Sequence, residues 1–203
     1  MRTLVIDTAT KACSVALYDG DRLVDSAHEV IGRGHAERLL PFVAALPERG
    51  KADQIFVDVG PGSFTGIRVG VAAAKALAFA WQVPVHGYSG LELIAAMARR
   101  QLAKNVAIDV VMTGGHGEYF HQHFGANGGA SAPSASVTPD ALQSAVTAAV
   151  IAGDIDSQVG GTQYLGLLPD AASWHLIAAS APLPPSPFYG RAPDAKLPKA
   201  SAT

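Results

Sequence analysis

The stretch Gly60-Pro61-Gly62-Ser63-Phe64-Thr65-Gly66-Ile67-Arg68-Val69-Gly70 constrains this chain more than any other, because it joins an apolar strand, Gln54 to Val59, directly to a long helix. A glycine-rich strand-to-helix junction lets another main chain or a phosphate come close. The helix N-terminus adds partial positive charge where Arg68 already sits. The common nucleotide loops do not match. A Walker loop ends in Gly-Lys-Ser/Thr where this one ends Gly66-Ile67-Arg68, and Gly60, Gly62 and Gly66 are spaced one residue too far for the dinucleotide fingerprint. Two readings stay open: a structural turn, or an anion site built from Gly60, Gly62, Ser63, Thr65, Gly66 and Arg68.

With 203 residues, 49% hydrophobic and 16% charged, the chain can bury a core as one domain or two small lobes. Fifteen basic residues against seventeen acidic give a formal charge of −2, too little to grip a nucleic-acid backbone unaided. Cys13 is the only cysteine, which excludes an internal disulfide and a cysteine-cage metal site, and it reads as a small buried apolar residue. Asp7 interrupts the N-terminal apolar run and Lys75 the run from Val69 to Trp81, so neither a leader nor a membrane span is expected and the cytoplasm is the default.

Thr3 to Asp7, Ala12 to Tyr18 and Arg22 to Val30 read as strands, the last two joined by an Asp19-Gly20 hairpin turn. A helix from His35 to Leu46 follows, bent at Pro41. Next come the strand ending at Val59, the helix Gly66 to Trp81, a strand Val83 to Gly87, and a helix from Ser89 to Arg100. An antiparallel meander followed by strand–helix alternation predicts an α/β mixed sheet with helices on its faces. Val106 to Met112 and Glu118 to Phe124 read as strands, Gly125 to Pro139 as a loop, Asp140 to Val146 as a helix, Ala148 to Gly153 as a strand and Asp170 to Ala181 as helical. The expected organisation is a first lobe over 1–101, a smaller and degenerate second lobe over 102–181, and a proline-rich tail over 182–203.

The helix Gly66 to Trp81 carries charge only at Arg68 and Lys75. One sheet cannot cover so much apolar surface. Gly66, Gly70, Ala73, Ala74 and Leu77, with Val69 beside them, form a small-residue stripe at three- and four-residue spacing, which permits close approach of another helix. The first helix offers Leu39, Phe42, Val43 and Leu46. The stripe either packs on the first helix of the same chain or meets a partner. His121 and His123 alternate along one strand and share a face, but two imidazoles without a third ligand make a weak metal site, and an exposed polar face is the commoner explanation. His35 and Glu37 read as polar helix surface.

The loop, together with Leu4-Val5-Ile6-Asp7-Thr8-Ala9-Thr10, Cys13-Ser14-Val15-Ala16-Leu17, Ala74-Lys75-Ala76-Leu77-Ala78 and a fainter echo in Pro187-Phe188-Tyr189-Gly190-Arg191-Ala192-Pro193-Asp194-Ala195-Lys196, resembles the TsaB-type (YeaZ) subunits of the bacterial tRNA threonylcarbamoyladenosine complex. The likeness is dense over the first half. It implies a Gcp-like, actin-like fold related to ribonuclease H with a truncated second lobe, and a dimer formed through a four-helix seam. It implies as partners a metal-bearing catalytic homologue and an ATPase subunit, with a homodimer when alone. No cofactor is expected on the chain by itself, although ATP belongs to the assembled complex. In actin-like ATPases an acidic residue at the end of the first strand acts beside the phosphates, which makes Asp7-Thr8, with Ser63, Thr65 and Arg68, a candidate remnant of a nucleotide site; Asp7 serves equally as a turn cap. The catalytic relatives carry two metal-binding histidines after the strand that ends here at Gly87. Laid on this sequence they fall at Gly90 and Ile94, which cannot ligate, so the resemblance implies no metal and no catalysis by this chain. The alternative is a free-standing actin-like ATPase or phosphotransferase.

Overall fold

A computed structural model describes residues 1–114, 117–155 and 163–190. The first sheet is built around β1 (Arg2–Asp7), whose residues face two cores in alternation: Leu4 and Ile6 lie in one, Val5 in the other. That double burial is what a central strand covered on both faces requires. β2 (Ala12–Asp19) pairs antiparallel with β1 and with β3 (Arg22–Val30), while β4 (Gln54–Asp58) and β5 (Val85–Tyr88) continue the other edge in parallel, giving the order β3-β2-β1-β4-β5.

Two helices cover one face of this sheet. α1 (His35–Ala45) runs through Pro41 as one element, because Leu39 and Val43 on either side are buried and hold the helix down. α2 (Phe64–Trp81) begins at Ser63, whose hydroxyl accepts the Gly66 N–H at 3.2 Å, and ends where Gln82 turns left-handed at φ 57°. By length and composition α2 could cross a membrane. Its glycine face instead lies against β1 and β4 of the sheet. His35, read as surface, is buried, its Nε2 lying 3.1 Å from the Ala12 carbonyl oxygen.

The opposite face of the sheet receives α3 (Gly90–Leu102) and a 3-10 turn at Ala171–Leu176, where Trp174 stacks on Phe56 and Tyr18. The expected helix over 170–181 therefore shrinks to that turn. α3 is a shared layer: Leu93 joins the core on the first sheet, while Leu91, Ile94, Ala95 and Ala98 face the second sheet. That sheet has the order β10-β9-β6-β7-β8, from β6 (Ile108–Thr113), β7 (Tyr119–Phe124), β8 (Ala135–Val137), β9 (Val150–Asp154) and β10 (Gln163–Gly166), with the short α4 (Pro139–Ala145) on its far side. β8 arises inside the expected loop and β10 had no counterpart in the sequence reading. Strands this short carry too few alternations to be read from sequence, and pairing with β7 and β9 supplies what pattern lacks. The tail also pairs: Leu183 and Gly87 exchange backbone hydrogen bonds at 2.7 and 2.8 Å, extending the sheet at β5.

Candidate functional site

The glycine loop closes on the turn between β1 and β2. At Gly62 a Cβ would fall within 3.0 Å of the Ala9 carbonyl oxygen, at Gly66 of the Thr8 carbonyl oxygen, and at Gly70 of Thr8 Oγ1. Gly66 and Gly70, four apart on α2, share one helical face and seat the helix on the hairpin, while Gly62 packs on the same hairpin from the loop just before the helix. Thr8 Oγ1 donates to the Gly66 carbonyl at 2.7 Å, and the Ser63 N–H donates to the Ala9 carbonyl at 2.6 Å. The bare backbone of this motif is filled by the chain's own turn.

Beneath the loop lie two carboxyl groups at the ends of neighbouring parallel strands, Asp7 on β1 and Asp58 on β4, each 1% exposed. Asp7 Oδ2 accepts from the Tyr88 hydroxyl at 2.9 Å and Oδ1 from the Ala9 N–H at 3.3 Å. Asp58 Oδ1 accepts the Gly60 N–H at 2.8 Å and the Gly90 N–H at 3.0 Å. Burial, and then the Asp58 charge, push Asp7 well above the usual carboxylate range; burial pushes Asp58 up to about 6 against the opposing pull of its amide donors. Both groups are closed off from solvent beneath the loop. Of the candidate anion-site residues, Asp7, Thr8, Gly60, Gly62 and Gly66 are brought together, while Ser63 and Thr65 stand at the exposed start of α2. Asp58 and Tyr88 were missed; the signal was an acid at the end of an apolar strand, directly before the glycines.

Arg68 does not turn toward the strand ends. Its Nε donates to the Tyr189 hydroxyl at 2.8 Å and its guanidinium lies 3.7 Å from the centre of the Phe64 ring. The tail that brings Tyr189 crosses the loop: the Phe188 N–H donates to the Val59 carbonyl at 2.8 Å, and a Cβ at Gly60 would meet the Phe188 carbonyl oxygen. The motif echo at 187–190 thus packs on the motif it accompanies; 191–196 lie outside the described residues.

The outer surface of α1 and α2 corrects the expected seam. Gly66, Gly70 and Ala74 are buried on the chain's own sheet, and Leu39, Val43 and Leu46 fill its core, so these six do not face outward. Leu77 and Phe42 are half-buried, and Arg38 lies over the Phe42 ring. A second small-residue line is open: Ala72, Ala76 and Ala80 are exposed, with Val69 and Ala73 half-buried beside them. At 100° per residue it lies about a quarter-turn from the expected one. A helix with alanine on most sides gives two such lines, and only the sheet selects which is covered.

In the second sheet His121 and His123 do share a face of β7, yet both rings turn to one buried carboxylate oxygen. Asp109 Oδ1 lies 2.8 Å from His121 Nε2 and 3.0 Å from His123 Nδ1, while Oδ2 accepts the N–H groups of Thr147 at 2.7 Å and Ala148 at 2.6 Å. Burial raises Asp109, but these four partners outweigh it and bring the group down to about 2. Among the described residues no three His, Cys, Asp or Glu side chains form a metal cage. Gly90 packs on Asp58, and Ile94 is wholly buried in the second core.

Residues 27–149, more than half of the chain, match the family of TsaD, the tRNA N6-adenosine threonylcarbamoyltransferase. The chain is 40% identical over 106 residues to the tRNA threonylcarbamoyladenosine biosynthesis protein TsaB of Escherichia coli, covering 50% of this chain and 46% of that protein. To the TsaB of Haemophilus influenzae it is 41% identical over 118 residues, covering 54% and 49%. It thus spans about half the length of the curated relatives it matches. Among solved structures, YeaZ from Pseudomonas aeruginosa superposes with a TM-score of 0.77 at 28% identity, covering 93% of this chain and 99% of that one. A second Pseudomonas aeruginosa protein, described as similar to peptidase YEAZ, gives 0.76 at 29%, covering 94% and 99%. The fold is therefore the α/β actin-like fold.

Proposed function

Because the chain belongs to the family of the tRNA N6-adenosine threonylcarbamoyltransferase TsaD, and is of the TsaB/YeaZ type within it, we propose that it serves threonylcarbamoyladenosine formation in tRNA as a cytoplasmic, non-catalytic subunit. It pairs through α1 and α2 with a metal-bearing catalytic homologue, to which an ATPase subunit docks, and it pairs with itself when alone. The observation that carries this reading is the open alanine line of α2. Ala72, Ala76 and Ala80 leave the helix backbone approachable from outside, where the facing helices of a homologue would complete a four-helix seam.

Three features support a non-catalytic role. The place an actin-like enzyme gives to phosphates is lined here by two buried carboxyl groups and crossed by the chain's own tail. Arg68, the cation nearest the loop in sequence, is engaged by Tyr189 and Phe64. The positions of the relatives' metal-binding histidines hold Gly90 and Ile94, of which the second points into a closed core. ATP then binds in the assembly, and tRNA is held by another subunit. No observation favours the free-standing ATPase or a peptidase.

Ala76→Glu tests the seam. The site is exposed, so the monomer should fold as before, whereas a carboxylate in a close helix contact should abolish co-elution with the catalytic homologue and dissociate any homodimer in light scattering. Co-elution unchanged in Ala76→Glu and in Ala80→Glu would refute the seam. Steady ATP hydrolysis by the isolated chain would refute the non-catalytic assignment.

A further inference from the structure

Asp58 Oδ2 is a buried carboxylate oxygen with no hydrogen-bond partner, the one such side-chain atom among the described residues. A charge left so in a closed interior is expensive, and it lies beside a second buried carboxyl group. The other titratable groups that interact with the pair do not relieve it: Tyr88 comes from β5 and Cys13 from β2, and Asp170, before the 3-10 turn, acts on Tyr88; none of them is basic. From α3 comes the Gly90 amide, and from the loop the Gly60 amide, both already given to Asp58 Oδ1. A positive partner for Oδ2 must be a cation or a proton. Surroundings favour the proton: Oδ2 is closed from solvent, the Gly90 backbone fills the space on one side of it, and among the described residues no group of three possible metal ligands includes it.

We propose that Asp7 is a neutral carboxylic acid donating its proton to Asp58 Oδ2, so that one proton shared by the pair ties β1 to the glycine loop and to the start of α3. Asp7 is the donor because Asp58 holds two amide donors, which favour its anion, while Asp7 accepts only one long amide bond and the Tyr88 hydroxyl. The raised position of both groups agrees, and the bond between the two carboxyls raises Asp7 while lowering Asp58. Through Asp58 Oδ1 the proton's effect reaches the Gly60 and Gly90 amides. Losing it leaves two anions face to face and frees both junctions.

The sign is fixed by linkage. Both acids are raised above their unfolded values, so their stabilisation is complete below about pH 4 and is lost as pH rises through the folded values. While the folded chain keeps the proton and the unfolded chain has lost it, the unfolding equilibrium constant should rise roughly tenfold per pH unit from this pair. Asp7→Asn keeps a donor toward Asp58 Oδ2 and an acceptor for Tyr88, so it should fold, remove that slope and slow amide exchange at Gly60 and Gly90 at alkaline pH. Urea unfolding of wild type and Asp7→Asn from about pH 4 upward reads the slope. Carbon-13 NMR of the aspartate carboxyls, assigned with Asp7→Asn and Asp58→Asn, reads the protonated acid. Equal slopes in wild type and Asp7→Asn, or two carboxyls titrating in the ordinary range, would overturn the proposal. Loss of the slope on adding magnesium would also overturn it, because a cation would then fill the place assigned to the proton.

Discussion

Gly66→Ala and Gly70→Ala separate the two ways in which α2 meets the hairpin. At Gly66 the new methyl would fall within 3.0 Å of the Thr8 carbonyl oxygen, a main-chain atom directly after β1 that cannot turn aside as a side chain can. The helix must shift, and because the obstacle is main chain the cost lies in the upper part of the overpacking range, about 2–3 kcal/mol. Alanine's better helix propensity returns at most about 1 kcal/mol, leaving a net loss of about 1–2 kcal/mol. At Gly70 the obstacle is Thr8 Oγ1, and the next atoms, Val57 Cγ2 at 3.4 Å and Ile6 Cγ2 at 3.7 Å, lie at ordinary contact. The hydroxyl can turn aside, giving up its bond to the Gly66 carbonyl, worth about 1 kcal/mol. The propensity gain of about 1 kcal/mol offsets this, so Gly70→Ala should be near neutral. In a Thr8→Ala background the obstacle is gone, and Gly70→Ala should stabilise by about 1 kcal/mol while Gly66→Ala stays as costly as before. Urea unfolding followed by circular dichroism measures the cycle. A Gly66→Ala protein as stable as wild type, or one rescued by Thr8→Ala, would refute the packing argument.

Two further outcomes are expected. Asp109→Ala strands the rings of His121 and His123 and the amides of Thr147 and Ala148, and should cost about 3 kcal/mol in urea unfolding. Because hydrogen bonds hold Asp109 down to about 2 despite its burial, its contribution is present above about pH 4 and lost as pH falls through the folded value; the difference between wild type and Asp109→Asn unfolding across that range should show this. Elemental analysis of the purified chain should give no stoichiometric zinc or iron, since among the described residues no three His, Cys, Asp or Glu side chains come together as a metal site; one equivalent that disappears in His121→Ala would contradict this.

The sequence by itself determined the elements whose pattern is long enough to have a period. β1, β2 and β3, α1, α2 and α3 stand within a few residues of where alternation and caps put them, and their order already implied a mixed sheet. The glycine motif located the junction that matters. What the sequence left open was direction. Gly66, Gly70 and Ala74 look from sequence as able to receive a partner helix as Ala72, Ala76 and Ala80 do, because both lines are small and both recur at helical spacing. Only the docking of α2 on Thr8 and Ala9 buries the first and leaves the second open. The Asp7–Asp58 pair and the Asp109–His121–His123 group were likewise invisible, for each joins residues distant in sequence whose meeting depends on strand order. Periodicity is a local property that a residue shares with its near neighbours along the chain. Burial, and with it the proton on a carboxyl group, is decided by what the rest of the chain places against it.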